Sequence, residues 1–105
     1  EVSGYNVQAV SGAAGTVDDF LVEQKTWSIR YLVVDTDKWL PGRKVLISPL
    51  WADVVDWKRR QIHLRMDRKA IEGSPVYDRE RDLTRDDETA LFAHYDEKPY
   101  WWTVP

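Results

Sequence analysis

The chain has 105 residues, a formal net charge of −3 and no cysteine. A chain of this length supports one hydrophobic core, so we expect a single domain. The lack of cysteine excludes disulfides and thiolate catalysis, and the acidic balance disfavours general binding to nucleic acid or to anionic membranes. No apolar run approaches the roughly 20 residues that a membrane-spanning helix needs. Because the sequence starts at Glu1 in mid-pattern, we expect a fragment of a longer protein.

The beginning of the chain predicts a β-hairpin with an irregular second strand. Apolar side chains alternate weakly over residues 5–9. Gly12 and Gly15 are three residues apart, which indicates a tight hairpin turn with close backbone approach. In the strand expected over 16–22, the apolar side chains fall out of phase, so we expect a bulge near Asp18-Asp19.

The middle of the chain predicts a second hairpin. Residues 27–34 are rich in β-branched and aromatic side chains, as a partly buried strand prefers. Pro41 and Gly42 then predict a turn, since proline fixes φ at the first central position and glycine accepts a positive φ at the second. The returning strand, 44–48, ends at Pro49, which cannot donate a hydrogen bond to a sheet.

Two more strands are expected before residue 67. The first covers 50–57, a tight basic turn covers 58–60, and the second covers 61–66, where apolar and polar side chains alternate cleanly. About six short strands joined by short turns favour a small, mostly antiparallel β-barrel or sandwich. Closure of such a sheet removes its exposed edges.

The remainder of the sequence predicts helix. Asp67 is the expected N-cap of one helical turn that stops at Gly73. Thr84 is the expected N-cap of an amphipathic helix over 85–96, with acidic residues in its first turn where the helix dipole favours them. The predicted fold is therefore mostly β, with a short C-terminal α-helix.

These elements indicate two parts of a single domain. Residues 1–75 form the predicted β domain. Residues 76–105 form a loop, the amphipathic helix and an aromatic tail that packs on the β domain.

The motifs taken together resemble the PRC-barrel proteins, and the match covers nearly the whole chain. The pattern is a Gly-x-x-Gly turn into a strand, a strand that ends in aspartate, a turn into a short strand that ends in proline, and a strand pair before Ser-Pro. In this sequence these motifs lie at Gly12–Gly15, 31–35, 42–49 and Ser74-Pro75. Glu88, Tyr95 and the closing Tyr100-Trp101 are similar to the tail of stand-alone bacterial members.

The resemblance implies a small β-barrel and a docking surface. Such a barrel forms the cytoplasmic part of the photosynthetic reaction centre H subunit and the C-terminal domain of the ribosome maturation factor RimM. The family offers no shared catalytic residues. It implies a cytoplasmic protein and two alternative functions, an H-subunit-like accessory of membrane electron transfer and an accessory of ribosome or RNA maturation.

The carboxylates and histidines do not predict a catalytic or metal site. Neighbouring carboxylates on a strand point to opposite faces, and no histidine spacing is typical of zinc ligands. We therefore expect no enzyme and assign no catalytic residue, cofactor or metal. We interpret Asp18-Asp19, Asp53 and Asp56 as solvated surface residues, and Asp35 and Asp37 as turn caps. The two histidines are His63 and His94.

One basic patch stands out in the acidic sequence. Lys58, Arg59 and Arg60 form a turn, with His63 and Arg65 on the same side of that hairpin. Such a turn is a possible contact for a polyanion such as RNA, or for an acidic partner. A solubilising turn is the favoured interpretation, because the patch is isolated and lacks interleaved aromatics.

The six tryptophans carry the main functional hypothesis. We expect Trp27 and Trp57 to lie in the core. A core of this size cannot easily bury all six, and exposed aromatic side chains anchor protein interfaces. We therefore predict a non-enzymatic interaction or adaptor module that forms a homodimer. Its predicted interface residues are Trp39, Tyr100, Trp101 and Trp102.

Overall fold

The fold is that of a computed structural model, which describes residues 4–36 and 40–102. Six strands come first, with a short 3₁₀ helix (Pro49–Trp51) between the fourth and the fifth, and two α-helices follow. The strands are β1 (Asn6–Ala9), β2 (Gly12–Glu23), β3 (Ser28–Asp35), β4 (Lys44–Ile47), β5 (Ala52–Asp56) and β6 (Gln61–Leu64). The helices are α1 (Arg68–Glu72) and α2 (Arg85–His94). A mostly β chain with a C-terminal helix is thus confirmed.

The strands form one mixed sheet in the order β4-β3-β2-β1-β6-β5. Four neighbouring pairs are antiparallel, and β1 with β6 is parallel. The parallel pair arises because the chain crosses from β4 through the 3₁₀ helix to β5 and returns beside β1. In the described part of the chain no backbone pairing joins β4 to β5, so the sheet is open.

The predicted bulge in the second strand is confirmed. The register between β2 and β3 shifts between Val17 and Asp19, and there the long strand bends. The first hairpin is also present, but its turn lies at Val10-Ser11, and both glycines belong to β2. The prediction of a turn at the glycines was wrong. Their positive φ angles belong to an irregular part of β2 instead. Close backbone approach is confirmed, since a Cβ on Gly15 would lie 2.2 Å from the carbonyl oxygen of Asp35.

Both helices begin where the sequence predicts. The Asp67 side chain accepts a hydrogen bond from the Ala70 amide, and Thr84 and Asp87 form a reciprocal capping box. The second helix ends at His94, two residues before the predicted end. Its buried side chains, Leu91 and Phe92, turn one face of the helix to the sheet.

Two tryptophans occupy unexpected positions. We expected Trp27 and Trp57 in the core, yet they are 78% and 64% exposed. Each belongs to a hairpin loop rather than a strand, so the alternation that suggested burial does not apply. The expected strand over 50–57 also starts later, because the 3₁₀ helix includes Trp51. That helix turns the Trp51 ring into the core, where it is 1% exposed.

We predict that Gly15→Ala destabilises the fold strongly. Gly15 has φ +145°, and a methyl group there meets the backbone of Asp35. Backbone strain at such a site costs about 1–3 kcal/mol, to which the collision adds. Gly42→Ala is the control, since Gly42 also has a positive φ, of +74°, but open space around it. Urea unfolding checks both variants, and equal losses of stability would contradict the steric explanation.

Candidate functional site

The end of the β2–β3 hairpin projects beyond the rest of the sheet. Pairing of β1 with β2 reaches Thr16, and the adjoining segment reaches Val17. Pairing of β4 with β3 begins at Leu32. Residues 20–31 therefore form a two-stranded ribbon whose other backbone edges carry no strand among the described residues.

A second bulge in this hairpin directs one arginine. Leu21 lies opposite Tyr31, and Val22 lies opposite Ile29, so Arg30 is the extra residue. Bulges re-aim side chains, and this one turns Arg30 towards the C-terminal tail. Its guanidinium lies 2.7 Å from Glu23 Oε1 and 4.2 Å from the centre of the Tyr100 ring.

The aromatic tail packs on helix α2. The rings of Tyr100 and Trp101 lie 6.1 and 5.6 Å from that of Phe92. The Tyr100 hydroxyl donates a hydrogen bond of 3.3 Å to Glu88 Oε2. The Arg85 guanidinium lies 3.9 Å from the centre of the Trp101 ring, within the range of a cation–π contact. Two residues of the first turn of the helix, Arg85 and Glu88, therefore contact the tail.

Between the hairpin and the tail lies an open cleft of about 660 Å³, which we call the hairpin–tail cleft. Its size is within the range of sites that hold small ligands. Charged and aromatic side chains surround it. The lining residues are Glu23, Gln24, Lys25, Arg30, Arg85, Tyr100 and Trp101.

Three tyrosines with raised pKa values, Tyr31, Tyr95 and Tyr100, remain protonated at neutral pH. Burial, and secondly the Glu88 carboxylate, raise the pKa of Tyr31 and of Tyr100 above the ordinary value. Burial raises the pKa of Tyr95 to about 12. These phenols are therefore neutral and do not act as bases at neutral pH. The Tyr31 and Tyr95 hydroxyls are buried without a hydrogen bond to the described residues.

The carboxylates considered in the sequence do not converge. Asp18 pairs with Lys44, and Asp19 lies 3.7 Å from Arg79. Asp56 pairs with Arg59 at 3.5 Å, and Asp53 is exposed. Asp37 lies outside the described residues. Over residues 4–36 and 40–102, no three potential ligand side chains form a group that could hold a metal ion.

Each histidine belongs to a helix or strand of the fold. His94 at the end of α2 lies with Nε2 2.6 Å from the Ala70 carbonyl oxygen, and since a carbonyl only accepts, this nitrogen donates. The contact ties α2 to α1. His63 lies in β6 opposite Gln8 of β1, on the face away from the core.

The predicted interface residues fall into three classes. Trp39 lies outside the described residues. Tyr100 and Trp101 are half-buried against α2, and Trp102 is 63% exposed. Half of the predicted aromatic anchor therefore supports the fold of its own chain, and Trp102 is the tail ring most open to a partner.

The basic turn lies elsewhere on the molecule. Lys58, Arg59 and Arg60 are exposed in the loop between β5 and β6, and none of them lines the hairpin–tail cleft. The cations of the cleft are Lys25, Arg30 and Arg85. Sequence reasoning missed them, because they are separated by up to sixty residues and no local motif marks them.

Comparison with protein-family models and with curated proteins finds no match to this chain. The described residues also contain no helix long and apolar enough to cross a membrane.

We predict different roles for the two final tryptophans. Trp101→Ala removes contacts with Phe92 and Arg85 and lowers the free energy of unfolding by about 2 kcal/mol, less than a fully buried ring would. Trp102→Ala changes it by less than about 0.5 kcal/mol, because the ring is mostly exposed. Urea unfolding of both variants checks this. Equal losses of stability in the two variants would show that Trp101 does not pack against Phe92 and Arg85.

A second prediction concerns the buried Tyr95 side chain and the dependence of stability on pH. The unfolded chain loses its phenolic protons near pH 10, whereas native Tyr95 retains its proton up to about pH 12. The native state then binds more protons, so the free energy of unfolding falls as the pH rises between these values. In Tyr95→Phe the fall is shallower, by up to about 1.4 kcal/mol per pH unit. Urea unfolding at pH 9, 10 and 11 measures it, and identical slopes would contradict the assignment.

Proposed function

We propose that this chain is a non-enzymatic protein-interaction module that self-associates as a dimer. The observation that supports this most directly is the exposure of three of the five tryptophans that the structure describes. Trp27, Trp57 and Trp102 are 78%, 64% and 63% exposed. Tryptophan is enriched among the residues that carry the binding energy of protein interfaces, because its large ring gains much when it is desolvated.

We extend the proposal to a PRC-barrel-like fold acting in the cytoplasm. The long β2 bends at its bulge, and β3 contacts the 3₁₀ helix that leads to β5. Strand β3 and the 3₁₀ helix both contact Phe92 of α2, through Tyr31 and Trp51. The bulge and these shared contacts support a barrel-like interpretation of the open, mixed sheet.

Exposure of Trp57 favours a second candidate, contact with a single-stranded nucleic acid. The ring stands directly before the exposed residues 58–60, so an aromatic side chain and three cations share one loop. Stacking on an aromatic ring beside basic residues is the usual mode of single-strand binding. Such binding weakens steeply as salt rises, which separates it from contact through apolar rings. An accessory role in electron transfer stays an expectation of the family resemblance.

We expect the wild-type chain to sediment as a dimer, and replacement of its exposed tryptophans to weaken that dimer. Trp27→Ala, Trp57→Ala and Trp102→Ala are compared with Leu50→Ala, which truncates another exposed apolar side chain. Loss of an anchoring tryptophan raises the dimer dissociation constant at least about tenfold, or about 1.4 kcal/mol.

Sedimentation velocity over a concentration series measures the constant for each variant. A wild-type chain that is monomeric at roughly 1 mM, the affinity of a very weak complex, would contradict self-association. A dimer that none of the tryptophan variants weakens would contradict these rings as its anchors.

A further inference from the structure

We propose that the hairpin–tail cleft binds an acidic, extended segment of a partner protein. In this arrangement Lys25 and Arg85 bind carboxylates of the segment, and an apolar neighbour in the segment packs on Trp101. The inference rests on the proposed function as an interaction module, and it adds the chemistry of the partner.

The charge of the cleft favours an anion. Glu23 is paired with Arg30 at 2.7 Å, and Glu88 lies 3.4 Å from Arg85. Lys25 is exposed and forms no ion pair with the described residues. The cleft thus has one surplus positive charge in a chain of net charge −3. Charge complementarity selects partners and steers their association, so an acidic segment is favoured here over a basic one.

The contacts of Arg85 leave part of its hydrogen-bonding capacity available. The guanidinium carbon lies 3.9 Å from the centre of the Trp101 ring, and a guanidinium carries five N–H donors in its own plane. One terminal nitrogen meets Glu88 at 3.4 Å, longer than the usual 2.7–2.9 Å of a charge-assisted hydrogen bond. The Arg85 side chain is 57% exposed. A carboxylate that arrives from solvent can therefore accept hydrogen bonds from the N–H groups of the guanidinium.

The aromatic wall of the cleft is already in place before a ligand binds. The Tyr100 and Trp101 rings are perpendicular at 89°, with centres 5.0 Å apart, and Phe92 packs against both. Binding to a wall that is already ordered loses little side-chain entropy. The cleft volume of about 660 Å³ matches a few residues, which favours a short extended segment as the ligand.

Selection from a library of random dodecapeptides tests the proposal without assuming a sequence. The full chain is immobilised, and peptides displayed on phage are selected at low salt. We expect Asp and Glu to be enriched next to an apolar residue. Lys25→Glu reverses the surplus charge at a site that has no ion pair with the described residues, and Lys58→Glu is the matched control on the other basic loop.

The best peptide is then titrated by calorimetry against each variant. We expect Lys25→Glu to weaken binding at least about tenfold, and Lys58→Glu to change it by less than about twofold, since a distant exposed charge is screened. Arg85→Gln weakens binding as well, and a thermal melt of each variant shows that it is folded.

Three results would overturn the proposal. They are a selection that enriches no peptide, a selection that enriches peptides without acidic residues, and equal effects of Lys25→Glu and Lys58→Glu. The same experiments separate this inference from the proposed function. If only the inference fails, the chain still dimerises or selects non-acidic peptides. If the proposed function fails, the chain is a monomer and selects no peptide.

Discussion

The packing of Phe92 is the interaction on which the rest of the structure depends. Its ring is 1% exposed and joins three separate parts of the chain. It lies 6.2 Å from Tyr31 of β3, 5.4 Å from Trp51 of the 3₁₀ helix and 5.6 Å from Trp101 of the tail. Aromatic pairs at these separations add to the free energy gained by burial. Without this ring the tail loses its aromatic contacts with helix α2, and one wall of the hairpin–tail cleft loses its support.

Local signals at the start of helix α2 place the charged groups of the cleft. The Thr84 amide donates a hydrogen bond to the Asp87 carboxylate, which holds the pKa of Asp87 below its usual range. This capping box fixes the first turn and hence the side chains of Arg85 and Glu88. The same two residues contact Trp101 and Tyr100. A short capping sequence thus positions the tail.

The sequence predicted features that depend on neighbouring residues and missed those that depend on distant ones. The caps of both helices and the bulge near Asp19 follow from local chemistry, and all were found. Trp27 and Trp57 were misplaced, because alternation alone does not show where a strand stops. The bulge at Arg30 depends on the register between two strands. The contact between Arg30 and Tyr100 joins residues seventy positions apart, so no local pattern revealed the cleft.

Trp27 shows why stability alone does not explain this surface. Its φ is +56°, a conformation that costs most residues about 1–2 kcal/mol and that glycine adopts more easily. The side chain recovers little of this cost by burial, since 78% of it is exposed. It also stands at the tip of a hairpin whose paired Val22 and Ile29 are 44% and 45% exposed. A large ring held out at some cost to the fold gains its burial free energy only against another molecule, which supports the proposal that this hairpin tip is part of an interaction surface.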